Sequence, residues 1–187
     1  MSGSTSQNSA WTDADTEALF ATVGRYLIFF QWVEGKLDQI LLLAWGHENW
    51  VASQTKLAKM QNFDKVNAVR DAVLTSPDFA RVHTRPDWCA SFDLLIERLH
   101  KERARRNALV HSQYLFEFVE VGFAPLRSHR EKVDGRAIFD QQELTKTAQE
   151  KLLGDLVQLA MDVNFTHVQL VHDYRARANY PPTDAPS

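Results

Sequence analysis

The amino-acid sequence predicts an all-α fold, an up-down helical bundle with a small β-hairpin inserted before the last long helix. Apolar residues recur at three-and-four spacing from Leu19 to Ala44 and again from Leu144 to Tyr174, the mark of one buried face on each of two long helices. A third such face, carrying Trp88, Phe92, Leu95, Ile96 and Leu99, follows Pro86. Between these last two stretches the period changes, and aromatic and β-branched residues alternate with turn signals.

A chain of 187 residues, 44% hydrophobic and 24% charged, is sized for one ordinary core, so a single domain is expected over residues 12–178. Residues 1–11 are rich in Ser, Thr, Asn and Gln and bury too little apolar surface to offset their ordering entropy, so they are expected to be a disordered tail. Thr12-Asp13-Ala14-Asp15 offers a cap and first-turn acids, and the helix it opens extends to a stop at Gly46. Ile28, Phe29 and Trp32 lie off its main stripe, which gives this helix more apolar surface than one intramolecular neighbour needs. A second subunit is one way to cover it.

Shorter helices are expected over Trp50 to Gln61 and Phe63 to Thr75, the latter stopped by Ser76-Pro77. The Pro86 helix should run to about Val110. Tyr114 to Val121 reads as a strand, and Leu126 to Val133, Asp134-Gly135 and Arg136 to Phe139 as a hairpin closed by the Asp-Gly pair, so the β-insert spans about 113–139. Asp140-Gln141-Gln142-Glu143 has the form of a capping box opening the final helix. That helix gives out before Pro181-Pro182, and residues 179–187 are expected to be a second disordered tail.

Charge and cysteine content exclude several classes. The net charge of −3 provides no overall basic field for loose binding to nucleic acid, so any RNA contact must come from a local patch. The single Cys89 cannot form an internal disulfide and lacks partners at metal-ligand spacing, which favours a reducing compartment. The polar stretch Ser2 to Ser9 is unlike a secretory leader, and Leu27 to Phe30 and Ile40 to Trp45 fall well short of the roughly 20 apolar residues that cross a bilayer. A cytoplasmic protein with no membrane partner is the expectation.

One local rule is broken. Seven-residue steps along the buried stripe lead from Phe92 to Leu99 and then to Arg106, a guanidinium where a leucine belongs. An unpaired buried charge costs several kcal/mol, so Arg106 must face a partner, a polar cleft or a subunit interface. Asn107 and His111 are four apart and share one side of the helix, whereas Arg106 and His111 are about 140° apart around the axis. The latter two converge only at a frayed helix end or across two subunits. Arg, Asn and His suit RNA cleavage by the 2′-hydroxyl. An imidazole, with an ordinary pKa near 6.5, moves the proton; a guanidinium holds the phosphate as charge develops; Asn107 orients either group. Lys101, Arg103 and Arg105 add basic residues for an RNA backbone, and the scheme calls for no metal and no cofactor.

The run Arg106-Asn107-Ala108-Leu109-Val110-His111 resembles the Arg-x(4 to 6)-His motif, with a polar residue after the Arg, of the HEPN superfamily of helical ribonucleases and nucleotide-binding domains. Long helices before and after the motif, and a hairpin between motif and final helix, also match that family's pattern. The resemblance implies a helical bundle that forms a homodimer, bringing two Arg and two His into a shared cleft. It implies a metal-independent endoribonuclease of a defence, toxin-antitoxin or RNA-processing system, with an antitoxin protein as a candidate partner. Family members often carry glycine after the His, where this chain has Ser112.

Other readings of the same residues stand beside this one. Arg106 can form an ion pair with Glu102 or an acid on a facing helix, His111 can be a helix C-terminal residue favoured by the dipole, and the same fold can serve as a catalytically inactive module binding RNA, nucleotide or protein. Glu97-x-x-His100 has the spacing of di-iron bundles, but those need two copies and the chain has one. His167 and His172 are five apart and point in different directions, and the five tryptophans read as core and interface anchors.

Overall fold

Thr12 begins the first helix as the sequence predicts. Its backbone N–H and hydroxyl donate to the Asp15 carboxylate at 3.0 and 2.8 Å, and the Asp15 N–H returns a bond to the Thr12 hydroxyl at 3.3 Å. The computed structural model describes residues 11–46, 50–134 and 136–179. Among them are six α-helices: α1 (Asp13–Trp45), α2 (Trp50–Lys59), α3 (Asn62–Thr75), α4 (Ala80–His83), α5 (Pro86–His111) and α6 (Lys146–Asn179). Three strands, β1 (Gln113–Leu115), β2 (Leu126–Val133) and β3 (Arg136–Glu143), form an antiparallel sheet in that order between α5 and α6. The fold is mostly α with a small antiparallel insert before the last long helix.

The described residues fall into two compact units. One comprises the described residues of 1–27 with those of 106–154, the other the described residues of 28–105 with those of 155–187. In the first, Leu19, Tyr26, Leu109 and Leu144 are buried, and Lys146 pairs with Asp15 at 2.8 Å. That pairing and the bonds from Thr12 hold the Asp15 carboxyl below its ordinary pKa. In the second unit, Val33, Leu37, Ile40 and Leu41 of α1 are buried, as are Val66, Val69 and Val73 of α3 and Leu156, Leu159, Val163 and Leu170 of α6. These positions keep the three-and-four spacing of the sequence. Ile28, Phe29 and Trp32 are 68%, 39% and 43% exposed, so the surplus apolar surface of α1 is uncovered among the described residues.

Helix stops follow local chemistry. Gly46 takes φ 76°, the left-handed geometry that terminates a helix at little cost only for glycine. Ser76-Pro77 ends α3 at Thr75, and the Ser76 hydroxyl then accepts the Asp78 N–H at 3.2 Å to start a 3-10 turn, Pro77–Phe79. This turn and α4 have no counterpart in the sequence reading, and α2 and α3 differ from it by one or two residues at their ends.

Two expectations are corrected. Tyr114 to Val121 is not one strand: pairing stops at Leu115, and Val119–Val121 is a 3-10 turn. Local bonds, Val119 N–H to Phe116 O at 2.9 Å and Phe123 N–H to Phe118 O at 3.0 Å, fold the segment back, and Gly122 at φ 84° completes the reversal. Aromatic and β-branched content marks a surface that suits strands and does not fix one. Nor does Asp140–Glu143 cap the last helix. β2 is eight residues long and pairs the whole of β3, out to Leu126 opposite Glu143. Thr145 serves as the cap, accepting the Ala148 N–H at 3.2 Å.

The hairpin closes at Val133 opposite Arg136, with Asp134 at φ 52°; Gly135 of the expected Asp-Gly turn lies outside the described residues. Of the two expected tails, residues 1–10 and 180–187 also lie outside them. Trp11 is attached: its backbone N–H donates to Gly122 O, and its indole to the Thr16 hydroxyl, both at 3.0 Å. Among the described residues no helix is long and apolar enough to cross a membrane.

Candidate functional site

α5 reaches His111 because the carbonyls of its last turn are taken up by side chains that follow it. The Ser112 hydroxyl donates back to Ala108 O, and the Tyr114 hydroxyl donates to Leu109 O at 2.5 Å. A helix normally leaves its last four carbonyls without intrahelical partners, and these two are supplied within three residues of the end. Ser112, where the resembled family often has glycine, thus closes the helix through its side chain.

Arg106, Asn107 and His111 belong to the first unit. Arg106 is half-buried, as is Asn107, while Ala108 and Leu109 are buried at 8% and 3% exposure and His111 is exposed. The structure brings two of the three predicted residues together: the Arg106 Nη1 donates to Asn107 Oδ1 at 3.2 Å. His111 ends the same helix, on the solvent side, beyond the two buried residues that anchor the turn. The arrangement gives a guanidinium oriented by an amide, with an accessible imidazole one turn and a half further on.

Lys101, Arg103 and Arg105 belong to the second unit and do not share one role. Arg105 is held by carboxylates, with Nη1 3.2 Å from both Glu102 and Asp155. Arg103 lies 5.1 Å from the centroid of the Phe63 ring, a cation-π contact. Lys101 is exposed, on the rim of an open groove of about 490 Å³ between α5 and α6 that also includes Leu94, Arg98, Asp162 and Phe165. His100, of the Glu-x-x-His pair, places Nε2 3.1 Å from Asn67 Oδ1 and its ring against Phe63. Burial, with the nearby Arg103 charge second, pushes its pKa below the ordinary imidazole value. Among the described residues no three His, Cys, Asp or Glu side chains are grouped to hold a metal ion.

Sequence reasoning missed the residues packed beside the end of α5. Arg127 on β2 is 6% exposed and stands opposite Tyr114 in the β1–β2 register. Its Nη2 donates to Asp140 at 3.0 Å and to Gln142 at 3.2 Å, both on β3. Burial raises the Tyr114 pKa, with the Arg127 charge pulling the other way. Period-two alternation was the available signal: Arg127 and His129 share one face of β2, and their partners Gln142 and Asp140 share the same face of β3. Comparison of the chain with protein-family models, curated proteins and solved structures returns no match.

Proposed function

We propose that Arg106, Asn107 and His111 form half of a HEPN-like ribonucleolytic centre, completed by the same residues of a second copy, that cleaves RNA without a metal ion. The observation that carries the reading is the Arg106–Asn107 hydrogen bond on the helix that ends in an exposed His111. In the proposed reaction one imidazole removes the proton of a ribose 2′-hydroxyl, whose oxygen attacks phosphorus. The phosphorus–5′-oxygen bond breaks, a second imidazole protonates the leaving oxygen, and the products are a 2′,3′-cyclic phosphate and a 5′-hydroxyl. Arg106, oriented by Asn107, holds the non-bridging oxygens as their charge grows. Two histidines are needed for base and acid, and one chain supplies one at this position. The exposed Ile28, Phe29 and Trp32 support self-association, because a chain that carries such surface gains by covering it. Lys101, exposed on the same helix, is a candidate contact to the RNA backbone. A cytoplasmic toxin-antitoxin or defence role is the setting that fits an RNA-cleaving protein with a single cysteine.

The test is incubation of the full chain with RNA in the presence of chelator, beside Arg106→Ala and His111→Ala, with the product ends identified. Cyclic-phosphate ends made by the unaltered chain and lost in both variants are expected. Equal cleavage by all three, or none by any, defeats the reading. Saturable RNA or nucleotide binding that requires Arg106 and yields no product replaces the enzyme with a binding module of the same fold.

A further inference from the structure

The segment joining β1 to β2 exposes apolar side chains that nothing among the described residues covers. Phe118, Val121 and Phe123 are 43%, 67% and 60% exposed, and Phe20 of α1, 53% exposed, sits edge-on to Phe116 with ring centroids 5.7 Å apart. Successive tight turns between Phe116 and Phe123 set their order. Phe118 caps the 3-10 turn and Val121 ends it, so these two, three apart, share one ridge, while Glu120 within the turn and Glu117 just before it are both exposed. Trp11 clamps the turn through its bond to Gly122 O, so the surface is shaped in advance and binding to it orders little further chain.

Charge identifies what fits there. Residues 112–126 contain Glu117 and Glu120 and no Lys or Arg, and residues 11–24, which bring Phe20 to the patch, contain Asp13 and Glu17 and no Lys or Arg, with Asp15 paired to Lys146 at 2.8 Å. Phosphates are repelled by such a rim, whereas lysines and arginines flanking apolar side chains are matched by it. We infer that this surface is a docking site for a cationic amphipathic segment of a partner protein, with apolar side chains on the Phe118–Val121 ridge and basic ones toward Glu117 and Glu120. The inference does not rest on RNA cleavage. Phe116 also stacks on Tyr114, with centroids 6.3 Å apart, and Tyr114 bonds the last turn of α5, so an occupant lies two aromatic rings from the turn that carries His111.

The test uses isotope-labelled full chain titrated with a Leu/Lys amphipathic helical peptide, a Leu/Glu peptide of equal length and oligouridylate. Amide shifts on adding the Leu/Lys peptide are expected to cluster in residues 116–123 and around Phe20. Phe118→Ala is expected to weaken binding about tenfold or more, and Glu120→Lys to weaken it and reduce its salt dependence. Both positions are exposed, and thermal melting verifies that each variant folds; where Phe118→Ala does not, Val121→Ser gives the same readout. Shifts elsewhere, equal binding of the Leu/Glu peptide, oligouridylate displacing the Leu/Lys peptide, or unaltered affinity in folded variants overturns the assignment.

Discussion

The Arg106 Nη1 donates to the Oδ1 of Asn107, its neighbour in sequence, at 3.2 Å. The bond restricts a long, flexible cation, and under the proposed function that restriction is the contribution of Asn107. Asn107→Ala is expected to slow RNA cleavage about ten- to a hundredfold while leaving the melting temperature near its original value. Asn107→Asp is expected to do worse, since a carboxylate neutralises the charge meant for phosphate. Cleavage kinetics beside thermal melting check both.

Lys101 and Arg105 are expected to differ. Arg105 is engaged by Glu102 and Asp155, so Arg105→Ala is expected to change RNA affinity by less than about twofold. Lys101→Ala is expected to reduce the slope of log affinity against log salt by about one. Binding isotherms at several salt concentrations distinguish them.

Arg127→Ala is expected to lower stability by about 2 to 3 kcal/mol, read from denaturant unfolding. Loss of one partner from a buried pair costs more than this in the limit, but Asp140 is 57% exposed and water compensates part of it. Asp140→Asn leaves the guanidinium buried beside Gln142 and is expected to cost less, because a neutral acceptor remains.

Stability should fall at both ends of the pH range for separate reasons. The His100 pKa is lowered from 6.5 by burial first and by Arg103 second, so its contribution is complete above 6.5 and is lost as pH falls through the depressed folded value. Burial acts on His167 in the same direction, with Lys36 adding to it. His100→Gln is expected to flatten the decline of melting temperature on the acid side. Tyr114 is raised from 10.0, so its contribution is complete below 10.0 and is lost as pH rises through the raised value. Tyr114→Phe is expected to lower the melting temperature at neutral pH and to flatten the alkaline decline.

Periodicity made the long helices legible, because burying a stripe imposes a spacing that survives any change of context: Val33, Leu37, Ile40 and Leu41 were visible as a face and are the buried face. Short elements were not legible in the same way. Phe116 to Val121 has the composition of a strand, and its conformation is decided by the bond from Val119 N–H to Phe116 O and by Gly122. Asp140 to Glu143 has the composition of a helix start, and its conformation is decided by a partner strand eleven to seventeen residues away in register. At the candidate site, Arg106 stood out because it broke the stripe, and it lies beside Asn107 as a polar neighbour would. Arg127 did not stand out, since a charged residue in an edge hairpin is unremarkable until cross-strand register pairs it with Gln142 and buries it.

The bond from Tyr114 to Leu109 O links two elements of unequal robustness. β1 is three residues long, and every residue of β3 is exposed, so the sheet belongs to the part of a protein that opens first. When β1 detaches, Leu109 O loses its donor and the final turn of α5 loses a cap, so sheet opening and unwinding around His111 become one event. Amide protection in β1 and in the turn that ends at His111 should therefore decay with a common rate and a common denaturant dependence, well before the buried stripe of α1 exchanges. The lifetime of a three-residue strand, more than the stability of the long helices, then sets how long His111 holds its place.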